Sequence, residues 1–222
     1  MTGAGSAPTL DGAALVVAHP DDEILWFASL VQEIGRIVIV YGDSPRVAAR
    51  GAQRRRALAE HFLKNIIFLD KPQPMRAHWD APAENENFEE LRDRLNRVLQ
   101  GCTSIFTHNP WGEYGHADHI LVNRAVNAVA SESGNPAVWV SGYVGVRALR
   151  NYKRVARDGI DSQFVRSIDP IFAKAVQSLY EKHGCWTWCR NWDWRETEHF
   201  LRLGRNGTGR RSAFNLLCFD YP

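Results

Sequence analysis

Two short segments hold the residues best suited to chemistry: His19-Pro20-Asp21-Asp22 and Tyr114-Gly115-His116-Ala117-Asp118-His119. A catalytic zinc takes about three nitrogen or oxygen ligands and keeps one position open for water. A histidine and an aspartate three residues apart, His19 and Asp22, can converge on one ion across a strand-to-helix turn, and a ligand from a second loop closes the set. Histidine–aspartate donors without cysteine fit hydrolytic rather than structural zinc. Such a metal lowers the pKa of its water to ~7 and polarises a carbonyl. A carboxylate that is not a ligand can take the water's proton, and a histidine can stabilise an oxyanion or protonate a leaving amine. Spacing alone does not say which of His19, Asp21, Asp22, His116, Asp118 and His119 plays which part. Either segment by itself is equally consistent with helix capping and a polar turn; the two together favour a site.

The elements that must position these segments are set by hydrophobic patterning. Residues 13–18 form an apolar, β-branched run of the kind buried in a parallel strand. Pro20 then disfavours helix at His19, and Asp21 or Asp22 can cap a helix expected over 23–34 and closed by Gly35. The cycle repeats: strand 37–41, helix 47–64, strand 66–69, an irregular Pro-containing loop over 70–85, helix 88–100, strand 104–107, loop 108–115, helix 116–130, strand 137–143. Alternating strands and helices imply an α/β fold with a Rossmann-like parallel sheet and helices on both faces. Ligands of such sheets gather beyond the carboxyl ends of the strands, so both segments are expected at one crevice. After Gly145 the alternation fades into a less regular C-terminal third. There a helix is expected over 171–183, a short helix over 197–203, a turn over 205–211 and a last strand over 214–219. The reading is one domain over 1–222, with a core at about 13–145 and an extension at about 146–222.

Bulk properties narrow the function classes. Lys plus Arg number 27 against 25 Asp plus Glu, a net +2. That balance argues against a nucleic-acid surface, which shows as a strongly basic domain. No run approaches the roughly 18 apolar residues of a membrane span, and the first twelve residues lack the positive and apolar regions of a secretory signal. A soluble cytoplasmic protein is expected, with homo-oligomerisation left open. Four cysteines in 222 residues are too few for a disulfide scaffold.

The run Ala18-His19-Pro20-Asp21-Asp22-Glu23 after an apolar strand, with Gly115-His116-Ala117-Asp118-His119 later in the chain, resembles the LmbE-like, or PIG-L, family of N-acetylglucosaminyl deacetylases. The resemblance implies a Rossmann-like fold and a divalent metal, usually zinc, with Fe2+ as the other choice. It implies removal of acetyl from an N-acetylglucosamine-type sugar or glycoside. It assigns His19, Asp22 and His119 as metal ligands, Asp21 as general base and His116 as the residue that stabilises the oxyanion and assists the leaving amine. Asp118 becomes the partner that orients or charges a catalytic histidine, and Tyr114 leans over the reacting carbonyl. Leu25-Trp26-Phe27 departs from the small residues many relatives carry there, and the C-terminal third matches no family motif.

Around these segments, Asp43, Arg46, Trp111 and Glu113 are candidate substrate contacts, weighed against capping, solvated charge and loop packing. Trp186, Trp188, Trp192 and Trp194 read better as a satellite core than as an aromatic wall for a ligand. Cys185 and Cys189 with His183 and His199 lack a usual zinc-finger spacing. Arg54-Arg55-Arg56 reads as a solvated helix face. Two alternatives stand beside the deacetylase: a metal-dependent hydrolase for another amide, such as a natural-product intermediate, and a non-catalytic carbohydrate-binding protein.

Overall fold

The computed structural model describes residues 8–44, 47–73, 86–134, 136–149, 152–153, 160–203 and 218–219. Seven strands form the main sheet: β1 (Ala13–Val17), β2 (Arg36–Tyr41), β3 (Ile66–Lys71), β4 (Ser104–Thr107), β5 (Ala137–Ser141), β7 (Ile160–Ser167) and β8 (Thr197–Leu203). They run in the order β3-β2-β1-β4-β5-β8-β7. A separate parallel pair joins β6 (Val144–Gly145) to β9 (Cys218–Phe219). The first five strands of the sheet pair in parallel, as the alternating pattern requires.

β1 is the middle one of the five parallel strands and buries all five of its residues. Because side chains alternate along a strand, it feeds two cores. Leu15 and Val17, with Ile37 and Ile39 of β2, pack toward α1 (Asp22–Phe27), α2 (Arg50–Ala59) and α5 (Pro170–Lys182). Ala14 and Val16, with Val38 and Val40, pack toward α3 (Glu86–Val98) and α4 (Ala117–Glu132). Full burial of each Leu, Val or Ile stabilises the fold by about 1.5–3 kcal/mol. Helices therefore cover both faces, as expected.

Three expectations are corrected. The helix expected over 23–34 is α1, which stops at Phe27. The amides of Ala28 and Ser29, which would continue the helical ladder, instead donate to the Glu198 carboxylate at 2.8 and 2.9 Å. Residues 197–203 form strand β8, not a helix. Seven residues are too few for a stable isolated helix, and this backbone pairs antiparallel with β7 along its length and with β5 at Phe200 and Leu201. β7, missed in the sequence, alternates half-buried and exposed side chains along all eight positions. The sheet is thus mixed at one edge. Helix α5 lies where a helix was expected, capped by Asp169 through the amides of Ile171 and Phe172. The expected turn over 205–211 lies outside the described residues, as does most of the strand expected over 214–219.

Candidate active site

The sheet order reverses between β1 and β4: β2 and β3 lie to one side, β5 to the other. A crevice opens at such a switch point beyond the strand ends. The loop after β1 begins at Ala18, and the loop after β4 at His108. The two meet directly, with the Ala18 amide donating to His108 Nε2 at 2.9 Å. A cavity of about 300 Å3 beside them is lined by His19, Asp22, Tyr114, His116, Thr187 and Arg54, among others.

In the first loop, Asp21 holds a left-handed backbone at φ 99°, a conformation that costs a non-glycine residue about 1–3 kcal/mol. Two sets of contacts hold it there. The Asp21 amide donates to Glu23 Oε2 at 3.0 Å, and Asp21 Oδ2 accepts from the Thr187 amide at 2.8 Å and from Thr187 Oγ1 at 2.6 Å. Asp21 occupies the cap position of α1, yet its carboxylate does not cap the helix. Glu23 is in turn fixed by the Tyr180 hydroxyl at 2.7 Å, with His61 Nε2 at 3.4 Å.

This twist separates two adjacent carboxylates. Asp22 faces histidines: His19 Nδ1 at 3.2 Å, His108 Nε2 at 3.4 Å and His119 Nε2 at 3.4 Å. Burial alone would raise its pKa, but the facing His119 and His108 hold it well below the usual carboxylate range. Asp21, equally buried, is pushed up to about 7, first by desolvation and then by the charge of Asp22. Its Oδ1 is buried without a hydrogen-bond partner. Neighbouring acids driven apart in this way are suited to different tasks.

The second loop is built on Glu113, which is fully buried with φ 52°. Its Oε2 meets His119 Nδ1 at 2.7 Å and His108 Nδ1 at 3.1 Å, while Oε1 accepts from the Asn109 amide at 3.1 Å. One carboxylate thus orients two imidazoles, as second partners of metal-binding histidines commonly do. Gly112 makes the bend possible: at φ +70°, a Cβ there would lie 2.5 Å from the His116 carbonyl oxygen. His116 caps α4, its Nδ1 accepting from the Asp118 amide at 3.2 Å. That bond needs the lone pair on Nδ1, so a neutral His116 carries its proton on Nε2. Burial, then the neighbouring His119 and His19, press its pKa down to about 3. Asp118 bonds His19 Nε2 at 3.0 Å rather than His116, and Gln73 Nε2 donates to the same carboxylate oxygen.

Two triads have donor atoms within 4.8 Å of one another: His19, His116 and His119; and Asp22, His108 and His119. His119 belongs to both, and its Nε2 is buried without a hydrogen-bond partner. A buried ring nitrogen left unsatisfied among nitrogen and carboxylate donors is what a bound divalent metal would satisfy. The residues therefore fit such an ion.

The structure brings His19, Asp21, Asp22, Tyr114, His116, Asp118 and His119 to one place. It puts Trp111 and Glu113 elsewhere than expected for substrate contacts. Trp111 is fully buried against Tyr152, with Nε1 donating to the Tyr143 carbonyl, and Glu113 is committed to the two histidines. Asp43 is exposed and faces Arg55 at 3.5 Å, while its neighbour Ser44 lines the cavity; Arg46 lies outside the described residues. Sequence reasoning passed over His108, Thr187 and Gln73. His108 carried a signal, as the first residue after an apolar strand; the other two carried none. Arg55 and Arg56 are exposed as expected, but Arg54 is buried. The tryptophans pack around Trp26 as part of the main core on the α1 side rather than as a separate satellite, and Trp188 also lines the cavity. Cys185 and Cys189 are free thiols outside both metal-competent triads.

A family model described as PIG-L, GlcNAc-PI de-N-acetylase, matches residues 14–130, more than half of the chain and the span holding both segments. Among solved structures, the chain is similar to the A40926 pseudoaglycone deacetylase Dbv21, at 16% identity and TM-score 0.57, covering 87% of this chain and 97% of that one. A deacetylase of the teicoplanin biosynthesis pathway, in complex with teicoplanin, gives 14% identity and TM-score 0.56 over 87% and 100% of the two chains. The zinc-inhibited form of teicoplanin deacetylase Orf2 gives 14% and 0.55 over 85% and 97%. At these identities the likeness is one of fold.

Proposed function

The chain belongs to the GlcNAc-PI de-N-acetylase (PIG-L) family, and from that premise we propose that it is a metal-dependent N-deacetylase acting on an N-acetylglucosamine-type sugar or its glycoside. The observation that carries this reading is the parting of two adjacent acids. Asp22 faces three histidines, while Asp21 turns to Thr187 and keeps one oxygen without a partner. In this reading His19, Asp22 and His119 hold the ion, which is zinc or Fe2+, and Glu113 and Asp118 orient the two histidines. When bound, the metal supplies Lewis-acid polarisation of the amide carbonyl and a more acidic water.

The remaining work falls to the chain's own groups. Asp21 Oδ1 accepts the proton of the attacking water while Thr187 keeps Oδ2 fixed. His116 Nε2 donates to the amide oxygen as negative charge develops there and helps the leaving amine depart. Tyr114, whose ring lies 5.7 Å from those of both His116 and His119, stands over the reacting carbonyl. The near-neutral charge balance supports a small-molecule partner rather than nucleic acid. Among the described residues no helix is long and apolar enough to cross a membrane. A cytoplasmic setting, homo-oligomerisation and a single unit over 1–222 belong to the same proposal.

A second reading has support of its own: the similar folds include deacetylases named for A40926 pseudoaglycone and for teicoplanin. On that reading the acylated sugar is carried on a large natural product. One experiment tests both. Protein stripped of metal and reloaded with one equivalent of zinc or Fe2+ is assayed for acetate release from simple N-acetylglucosaminides and from glycopeptide-borne N-acyl sugars. A zinc-inhibited form is known for the similar Orf2, so excess zinc is a separate arm. Metal-dependent release from a simple glycoside supports the first reading, and release from glycopeptides alone the second. No release with either metal contradicts both.

A further inference from the structure

Asp22 faces three histidines, and its two oxygens are held in different ways. Oδ2 accepts from the His19 amide at 2.8 Å and lies 3.2 Å from His19 Nδ1 and 3.4 Å from His108 Nε2. Oδ1 lies 3.4 Å from His119 Nε2, the buried nitrogen with no hydrogen-bond partner. The same Oδ1 accepts from the indole Nε1 of Trp26 at 3.1 Å.

Helix geometry brings Trp26 to this oxygen. Residues four apart share a helix face, and helical side chains lean toward the N-terminus. The Trp26 indole therefore covers the first turn of α1, where Asp22 sits. Both residues are buried, at 3% and 4% exposure. The indole is packed against Tyr143, at 4.7 Å between ring centroids, and edge-on against Trp188 and Trp192, at 5.0 and 6.0 Å. Packing on several sides fixes the direction in which its N–H points.

Burial alone does not produce such a bond. Trp139 and Trp194 bury their Nε1 atoms with no hydrogen-bond partner, while Trp111 and Trp186 donate to backbone carbonyls. Trp26 donates instead to a carboxylate, and bonds to ionised acceptors are the stronger ones. A carboxylate oxygen has two lone pairs, so the indole leaves Oδ1 a further position for an ion.

We propose that Trp26 is a positioning residue of the metal site: its indole N–H holds Asp22 Oδ1 beside His119 Nε2. The family resemblance assigns no such role, and Trp26 lies in the run Leu25-Trp26-Phe27 that departs from the small residues of many relatives. Without this donor, Oδ1 loses its anchor and the carboxylate can turn away from His119. The inference rests on the metal reading of Asp22 and His119; it does not depend on the sugar.

The test replaces the N–H while keeping the ring. Trp26→Phe removes the donor. A second variant carries β-(3-benzothienyl)alanine in place of Trp26, which keeps the outline of the indole with sulfur where the N–H was. Zinc affinity is measured without substrate, by competition with a chelator. A fall of about tenfold or more is expected in both variants, and none in Trp192→Phe, which alters a packing neighbour alone. The visible absorption of the cobalt-loaded protein should shift in the same two variants and stay unchanged in Trp192→Phe. If Trp26→Phe fails to fold, the benzothienyl variant decides. Wild-type affinity in the benzothienyl variant overturns the proposal, because any loss in Trp26→Phe is then one of packing. An equal loss in Trp192→Phe overturns it for the same reason. A wild-type protein that binds neither zinc nor cobalt overturns the metal reading and this inference together. Absence of acetate release leaves the affinity comparison, and so the inference, standing.

Discussion

The parallel half of the molecule and its C-terminal third meet at α1 and contribute different things. Strands β1 and β4 and their loops bring every donor of the two metal-competent triads: His19 and Asp22 from one side, His108, His116 and His119 from the other. The C-terminal third brings none of these donors. It grips the six residues of α1 at three heights: Thr187 on Asp21 before the helix, Tyr180 on Glu23 in its first turn, Glu198 on Ala28 and Ser29 after it. So short a helix is not stable alone. In the proposed reading, metal affinity and the placement of the base are therefore separable, although Asp21 and Asp22 are neighbours in sequence.

That division can be attacked from either side. The largest effect is expected from His119→Ala, which removes the donor shared by both triads. Stoichiometric metal and all turnover should be lost together, as read by metal analysis and acetate release; retained metal would dissolve the assignment. Next comes Glu113→Gln. It leaves the ligands in place but removes the charge that orients His108 and His119, and metal affinity should fall about 10–100-fold by competition with a chelator.

The C-terminal side gives a different signature. Thr187→Val removes the hydroxyl bond to Asp21 Oδ2 and keeps the amide bond. A drop of about tenfold in kcat is expected, with metal affinity and KM unchanged and activity recovered in Thr187→Ser. Loss of metal in Thr187→Val would show that the two regions are not separable. The smallest effect concerns stability. Burial pushes the half-buried Glu198 up to about 7, against the donors from Ser29 and Ala28. With a folded pKa above the unfolded one, its contribution is fully present below about pH 4.5 and is lost as pH rises through 7. Denaturation midpoints of wild type should therefore fall relative to Glu198→Gln between pH 5 and 8.

How much of this was legible depends on what each residue answers to. β1 and β2 were legible because buried parallel strands are apolar on both faces, and the two motif segments because their donors lie within a few residues of a strand end. The length of α1 was not, since it is set by Glu198, a residue 170 positions from Ala28. Thr187 is an ordinary threonine until the fold places it on Asp21. β7 shows strict alternation that could have been read as a strand, and β8 was read as a helix because its seven residues lack that clarity. Trp111 and Glu113 sit in the right loop but face inward, because Gly112 and a left-handed Glu113 turn the chain between them. Local sequence located the loop and left the direction of its side chains open.

The most direct test sets Asp21→Asn beside Asp22→Asn, with metal content and acetate release measured on the same preparations. Asp21→Asn is expected to keep about one metal per chain while kcat falls by ~10²–10⁴, and Asp22→Asn is expected to lose the metal. An Asp21→Asn protein that loses its metal, or that keeps full turnover, would contradict the division of labour between the two acids.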